Sequence, residues 1–476
     1  MTKGEGVMAG SRTTPGESQS LDPVVLKELR LILAPERVSD EPVDRLTYAY
    51  DATRKQYPPQ AVLWPETAQE IAAILRLAGG RGIPVYPRGG GTGLTGGSLA
   101  TRGGMVLSLE RMTAIRNVDK SNRLVTVQAG IPLGELKTAL QKQGFFYPPD
   151  PSSAKTATLG GTLAECAGGL NCVKYGTTKD WVQAVEAVLP TGEIIHIGSK
   201  ARKSVVGYNL LQLLIGSEGT LAVITEATLR LLPFPPHRGT FIALFDSVTD
   251  SARAVQRMLD SGAVPCAIEF IDRRSLEAVN AYRQDAGLPV VEALLLVEAD
   301  GYDSSRVEEE THTFAALCRE CGATRITQAQ SAQERERLWD IRRSLNPAMY
   351  AQAPFKTNED ICVPLSEIGA MLDAAYAIGN KYEIATLCFG HAGDGNIHVN
   401  FMTHEEEDSR VDSAVAELFE RTVALGGSIS GEHGIGITKA PFLELELGKR
   451  ERQLLLDIKK LFDPMNILNP GKMNLE

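Results

Sequence analysis

Four side chains in the last quarter of this 476-residue chain could do chemistry together: His391, His398, Glu432 and His433. The chain has only seven histidines, and three stand in two short glycine-rich blocks, Cys388–Phe401 (CFGHAGDGNIHVNF) and Ser430–Gly436 (SGEHGIG). Asp394-Gly395 is a hairpin-type turn, so His391 and His398 lie on its two arms and can converge. In the second block glycines surround Glu432 and His433 and leave room for a substrate. Two imidazoles and one carboxylate suit a borderline divalent metal with coordination positions left open. A lone histidine is more often a satisfied core or turn residue; the clustering argues against that here.

A second cluster lies far upstream. Six of the ten residues from Arg88 to Gly97 (RGGGTGLTGG) are glycine. Gly91, Gly93 and Gly96 satisfy G-x-G-x-x-G behind a strand-like run, which raises the dinucleotide fingerprint. That fingerprint needs a helix to open inside the motif, whereas Gly104–Leu109 (GMVLSL) reads as another strand. No Gly-Lys-Ser/Thr is present, so a P-loop is excluded. What remains is a run of backbone N–H groups, free of side-chain bulk, that can cradle a diphosphate without a helix. A plain surface turn does not account for so many residues of high backbone entropy.

Composition narrows the function classes. Lys and Arg number 49 against 59 Asp and Glu, a net charge of −10, and no dense basic run offsets it, so nucleic acid is not an expected partner. With 43% hydrophobic and 23% charged residues the chain reads as a globular protein of two or three domains. Apolar runs such as Val290–Glu298 are broken by Glu well short of the roughly 20 residues that span a bilayer. The first twenty residues lack the apolar core of a secretory signal and read as a disordered tail. Seven scattered cysteines do not form a disulfide framework, which points to reduced thiols and a cytoplasmic protein, with attachment to the periphery of the inner membrane left open. Cys318-x-x-Cys321 has no second pair and is not expected to hold zinc or an iron–sulfur cluster.

These residues need elements to position them. Ala61–Trp64, Ile83–Arg88, Gly104–Leu109 and Leu124–Ala129 read as strands. Helical spacing runs over Glu66–Ala78 and over Leu133–Gln143, the latter closed by Gly144. Ala184–Ile197 is a hairpin around Pro190-Thr191-Gly192. A first domain, 21–235, closes at Pro233-Phe234-Pro235-Pro236. The second, 236–476, repeats strand, helix, strand: Thr240–Phe245, Thr249–Leu259 and Ala267–Ile271, then Ala293–Val297 and a helix Ser305–Glu320 closed by Gly322. That order predicts a ferredoxin-like α+β domain, with late helices within Val411–Ala424 and Glu451–Phe462 packed on it.

Four blocks in order, Arg88–Leu94 (RGGGTGL), Pro149–Ser153 (PDPSS), Leu159–Gly169 (LGGTLAECAGG) with Lys174-Tyr175-Gly176, and Gly216–Thr220 (GSEGT), resemble the FAD-binding domain of the FAD-linked oxidases related to vanillyl-alcohol oxidase. The resemblance runs from about Ser39 to Lys472 and is strongest to FAD-dependent D-lactate dehydrogenases and the catalytic subunit of glycolate oxidase. It implies an α+β fold of that type and FAD held by Arg88, Gly89, Gly90, Gly91, Thr92, Gly93, Leu94, Pro149, Asp150, Ser152, Thr158, Gly160, Gly161, Ala164, Gly168, Tyr175, Gly176, Glu218, Ile224 and Asn469, the extreme C-terminus returning to the flavin. Some relatives bind flavin covalently through a histidine in the first loop. Gly91-Thr92 occupy that region here, so noncovalent FAD is expected.

The GHxGDGNxH and GEHG blocks resemble those of family members that oxidise D-2-hydroxy acids. By that resemblance His391, His398 and Glu432 are ligands of a divalent metal, not distinguished among Zn, Mn, Co and Fe. His433 is the general base, and Asn400 lies near the substrate. An imidazole of ordinary pKa about 6.5 can take a hydroxyl proton near neutrality. The family places an arginine against the substrate carboxylate at Arg342, with Lys356 a second candidate and Arg343 solvated. The implied activity is oxidation of D-lactate or glycolate to the 2-oxo acid, with electrons passed to a quinone, a cytochrome or an electron-transfer flavoprotein. D-2-hydroxyglutarate oxidation, which needs a further cation for the distal carboxylate, and a flavin-binding electron-relay subunit are the alternatives. A homodimer is compatible with either.

Overall fold

The computed structural model describes residues 20–406 and 408–475. Met1–Gln19, nearly all of the stretch read as a tail, lie outside them. Two large sheets and a two-stranded ribbon, Phe145–Phe146 with Leu232–Pro233, build the N-terminal half. A four-stranded sheet orders Val38–Ser39, Ala61–Leu63, Met105–Ser108 and Val85–Arg88, the last three parallel. Ala61–Leu63 and Met105–Ser108 are buried throughout, as continuous apolar strands of parallel sheets are. Helix Ala68–Arg81 covers them. Thr67 and Glu70 form its capping box, Gly82 at φ +63° ends it, and Ile71, Ile74, Leu75 and Ala78 fall on its buried face. The glycine-rich loop connects two adjacent parallel strands of this sheet, and no helix opens within it.

The second sheet is antiparallel: Ile115–Asp119, Leu124–Gln128, Val223–Arg230, Val182–Val188 and Ile194–Gly198. Helix Leu133–Gln141 packs on it through Leu133, Leu136 and Leu140. It ends before Gly144, which takes φ +80° three residues beyond the last helical residue and is not its cap.

From His237 onward a seven-stranded antiparallel sheet runs Arg325–Gln328, His237–Phe245, Ala293–Gly301, Ala267–Asp272, Ala385–His391, Asn396–Thr403 and Phe355–Cys362. Its first four strands, numbered along the chain, stand in the order 4-1-3-2, the ferredoxin-like arrangement. Three more strands extend that sheet from the Ala267–Asp272 edge, and they carry the histidine hairpin. Helices Val248–Leu259, Ser304–Glu320, Ile368–Tyr382 and Ser409–Ala424 share one apolar core on one face. Helices Arg273–Tyr282 and Ala332–Met349 cover part of the other. Phe355–Cys362 was not expected as a strand, because FKTNEDIC lacks an apolar alternation.

The late helices part company. Ser409–Ala424 packs on the large sheet, as its apolar face predicts. Lys449–Phe462 does not: Ile458 and Phe462 lie against the antiparallel sheet of the N-terminal half, and the Lys459 ammonium donates to Thr220 O (2.9 Å) and Leu468 O (2.7 Å). The chain then adds to the parallel sheet, with Val85 N–H donating to Ile467 O (2.7 Å) and Asn469 N–H to Val85 O (2.8 Å). The amphipathic pattern predicts a buried face but carries no information on which half supplies the partner.

Candidate active site

The hairpin places the histidines. Its register opposes His398 to Phe389, and on the neighbouring strand Glu269 to His391. Since opposed residues share a face, Glu269, His391 and His398 project together. The turn needs Gly395, at φ +82°, where a Cβ would stand 2.0 Å from Val363 O. Nε2 of His391 and Nε2 of His398 lie 3.6 and 3.4 Å from Glu432 Oε1. One ligand atom from each of the three residues lies within 4.8 Å of the others, the one such group among the described residues. Nδ1 of His391 donates to Glu269 Oε1 (2.6 Å), which turns Nε2 inward as a carboxylate behind a metal-binding histidine does. Burial disfavours charge on His391, but Glu269 and Glu432 hold its pKa well above the ordinary value. Burial and the neighbouring His433 and His391 hold His398 well below it, against the pull of Glu432. Glu432, though buried, is brought down to about 2 by His391, His398 and His433.

Asp360 positions the Glu432-His433 pair, and its role was not visible in the sequence. It faces His398 across the strand pair. Its Oδ2 accepts the N–H groups of Gly431 (2.9 Å), Glu432 (2.6 Å) and His433 (2.9 Å), a nest of successive amides closed around a carboxylate. Its Oδ1 pairs with the buried Lys439 ammonium and stands 3.1 Å from Nδ1 of His433. Against burial, His433 and Lys439 hold Asp360 well below the usual carboxylate range. The His433 ring stacks on that of His398, centroids 5.3 Å apart.

His433 and Glu432 also close one end of a cavity whose other walls belong to the N-terminal half. Arg88, Gly89, Gly90, Gly91, Thr92, Gly93, Leu94, Ser152, Thr158, Gly160, Gly161, Ala164, Gly168, Glu218 and Ile224 line it. Two glycines of the loop serve close packing: a Cβ on Gly89 would stand 2.2 Å from Thr158 Oγ1, and one on Gly90 2.3 Å from Thr156 O. Gly93 has nothing within 4 Å of that position and opens to the cavity. No amide N–H from Gly89 to Leu94 donates to a protein acceptor among the described residues. The donors that suit a diphosphate are thus present and uncommitted.

Other expected cofactor residues stand elsewhere. Pro149, Asp150, Tyr175, Gly176 and Asn469 are not on the cavity walls. Pro149 O and the Asp150 carboxylate take the Lys137 ammonium (3.0 and 2.5 Å). The Tyr175 hydroxyl is committed to Asp300 (2.9 Å), and Gly176 caps the short helix Cys172–Tyr175. Asn469 sits one layer behind, its amide donating to Gly97 O (2.9 Å) and Glu218 O (2.7 Å).

Arg342 sits on helix Ala332–Met349 over the Phe389 ring (4.6 Å), its Nε paired with Glu269. It thereby shares a carboxylate with His391, and its two terminal nitrogens make no hydrogen bond among the described residues. Arg343 is half-exposed and pairs with Glu336 and Asp340. Lys356 lies on a strand, half-buried, donating to Asn346, one turn beyond Arg342 on the same helix. Asn400 is fully buried and spent on structure: its amide nitrogen donates to Leu387 O and His398 O (3.2 Å each), and its oxygen accepts from Asn358 (2.7 Å). It braces the strand that carries His398.

Residues 59–198 match the FAD binding domain family, and residues 234–473 match the C-terminal domain of FAD linked oxidases. The glycolate oxidase subunit GlcD of Bacillus subtilis (strain 168) is 41% identical over 94% of this chain and 96% of its own. A D-lactate dehydrogenase of Anaerostipes hadrus is 34% identical over 93% and 95%, and a D-2-hydroxyglutarate dehydrogenase of Xanthomonas citri pv. viticola 32% over 95% and 97%. Among solved structures, 4-ethylphenol oxidase from Gulosibacter chungangensis superposes with a TM-score of 0.78 at 16% identity, over 97% of this chain and 98% of its own. p-Cresol methylhydroxylase gives 0.77 at 17%, over 95% and 96%. These two share the vanillyl-alcohol oxidase-type fold. With the glycine-walled cavity, the two matched domains and relatives along nearly the whole length, the chain belongs to the FAD-linked oxidases.

Proposed function

We propose that the protein oxidises a small D-2-hydroxy acid, D-lactate or glycolate, to the 2-oxo acid. The observation that carries this is the convergence of His391 and His398 on Glu432, which with His433 closes one end of the glycine-walled cavity. Noncovalent FAD fits the uncommitted amides of Gly89–Leu94, and a divalent metal fits the inward-turned Nε2 atoms and the Glu432 carboxylate. When bound, FAD supplies the two-electron acceptor, and the metal supplies Lewis acidity that lowers the pKa of a hydroxyl. His433 takes the hydroxyl proton, its ring held by the amide nest on Asp360 and by stacking on His398. Arg342, kept in place by Glu269, offers its free terminal nitrogens to the substrate carboxylate. His391, on which Glu269 and Glu432 favour a proton, would hold the metal as the neutral imidazole at Nε2. Electrons leave to an external acceptor, a quinone, a cytochrome or an electron-transfer flavoprotein.

One observation favours a second substrate. Lys356 places another cation one helical turn from Arg342, suited to the distal carboxylate of D-2-hydroxyglutarate. Anaerobic bleaching of the flavin absorbance against a panel of D- and L-2-hydroxy acids, 2-hydroxyglutarate included, tests cofactor, reaction and stereochemistry together. Bleaching by D-lactate or glycolate is expected. No bleaching by any D-2-hydroxy acid refutes the proposal.

No helix among the described residues is long and apolar enough to cross a membrane.

A further inference from the structure

Two carboxylates of the N-terminal half meet the loop that carries His433. Glu218, buried at φ +51°, accepts the N–H of Ile435 on Oε1 (2.6 Å) and of Gly436 on Oε2 (2.7 Å). Glu165, the last residue of helix Leu159–Glu165, stands half-buried beside it on the cavity wall, and its shielded Oε2 has no hydrogen-bond partner among the described residues. A Cβ on Gly434 would stand 2.1 Å from Glu165 Oε2 and 3.0 Å from Glu218 Oε1, so both carboxyls press on the same glycine. A Cβ on Gly436 would stand 2.1 Å from Thr95 O. Thr95 adds three bonds to the same segment, accepting the N–H groups of Ile437 (2.8 Å) and Thr438 (3.3 Å) and donating its hydroxyl to His433 O (3.1 Å). Two glycines of SGEHGIG are therefore required by the way the loop is seated, not by room for a substrate.

Two carboxyls this close, one buried and the other with its Oε2 shielded from water, do not both carry charge. Their hydrogen bonds decide which one does. Glu218 faces two amide donors, while Glu165 Oε2 faces none, so the anion rests on Glu218 and the proton on Glu165. Burial raises the Glu218 pKa above the ordinary value, opposed by the Ile435 and Gly436 amides and by Lys472 and Lys439, which favour its charge. Burial, then Glu218, Asp51 and Asp360, hold Glu165 well above the usual carboxylate range. Glu432 and His433 of the seated loop face the same cavity.

We propose that Glu218 is a positioning residue that seats the His433 loop on the glycine-walled half, and that Glu165 serves it by staying the neutral member of the pair. The proposal rests on the reading of His433 as the base. Ionisation of Glu165 sets a second anion beside Glu218 and Gly434 and unseats the loop.

The test is hydrogen–deuterium exchange at the Ile435 and Gly436 amides of the full-length flavin-loaded protein, with kcat and KM measured alongside. Glu218→Gln keeps the shape but turns an NH2 toward one of the two donors. Exchange at both amides should speed up about tenfold or more, the scale of a lost charge-assisted hydrogen bond. kcat should fall with it, while KM for the hydroxy acid moves by less than about threefold. Glu165→Gln fixes the neutral form and should keep wild-type protection at neutral pH. Corrected for intrinsic exchange, wild-type protection should fall as pH rises, and that fall should be absent in Glu165→Gln. Unchanged protection in Glu218→Gln overturns the proposal. Loss of protection in Glu165→Gln equal to that in Glu218→Gln also overturns it, since it moves the anion to Glu165. If protection responds as stated but kcat does not, the seat stands and the assignment of His433 as base falls.

Discussion

Asp360→Asn tests the carboxylate that joins the amide nest to Lys439 and His433. The side chain is fully buried and serves three backbone N–H groups with one oxygen and the Lys439 ammonium with the other. Asparagine fills the same space without the charge. Whichever way its amide turns, an NH2 faces either the nest or the ammonium. Removing one partner of a buried ion pair costs ~3–5 kcal/mol, and each hydrogen bond to a charged group contributes ~1.5–3 kcal/mol, non-additively. Lys439 keeps bonds to Asp360 O and Ile429 O, so a loss of ~3–5 kcal/mol is expected for the C-terminal half. Urea unfolding followed by fluorescence reads this loss. Turnover should fall by about 10²-fold or more, since the nest orients both Glu432 and His433. Asp360→Asn with Lys439→Met should recover stability by removing the unpaired ammonium, but not turnover. The acid limb has a definite sign: the folded-state pKa is depressed, so this stabilisation is present above the unfolded value of about 3.9 and is lost as pH falls below it. Asp360→Asn should lack that limb. A variant within about 1 kcal/mol of wild-type stability and about threefold of its turnover would refute the reasoning.

Four further outcomes follow from the geometry. His391→Ala should remove bound metal and most turnover yet leave the flavin spectrum nearly intact, checked by elemental analysis beside absorbance; active, chelator-washed enzyme without stoichiometric metal contradicts the ligand set. His433→Asn should keep FAD and metal while slowing flavin reduction by roughly 10²–10⁴-fold in stopped flow; metal lost there and kept in Glu432→Gln reverses the two roles. Acid precipitation should release all the yellow chromophore as FAD, and flavin remaining in the pellet excludes noncovalent binding. Burial, with Arg54 nearby, pushes the Lys356 ammonium down to about 8, so it is cationic below that pH and neutral above it. KM for a dicarboxylic hydroxy acid should therefore rise above about pH 8 and stay flat in Lys356→Arg, in which the charge persists.

The parts of this site legible in the sequence are those that chemistry confines to short segments. The histidine hairpin and the glycine loop declare themselves because a turn at Gly395 and a run of bare amides have local signatures. Asp360 and Lys439 gave no such signal: an acid in a polar strand and a lysine after a glycine block look solvated until folding buries them together. Tyr175-Gly176 sit in a motif near the cavity, yet the hydroxyl reaches Asp300, a partner 125 residues away. Asn400 lies on the right strand, but its neighbours consume every polar atom it has. Periodicity identifies a helix within Glu451–Phe462, observed as Lys449–Phe462, while its destination depends on the path of the 13 residues that follow it as far as Leu475.

That path has a consequence for biosynthesis. Because Ile467 and Asn469 bond to Val85, and Lys459 to Thr220, the N-terminal half is completed by residues translated long after it. Asn469, which holds the carbonyls of Gly97 and Glu218, is translated about 370 residues after the glycine loop it supports. The N-terminal half must wait, its sheet edge unpaired, while the entire seven-stranded sheet is synthesised and folds. The support of the glycine loop is thereby deferred until the seven-stranded sheet has been translated.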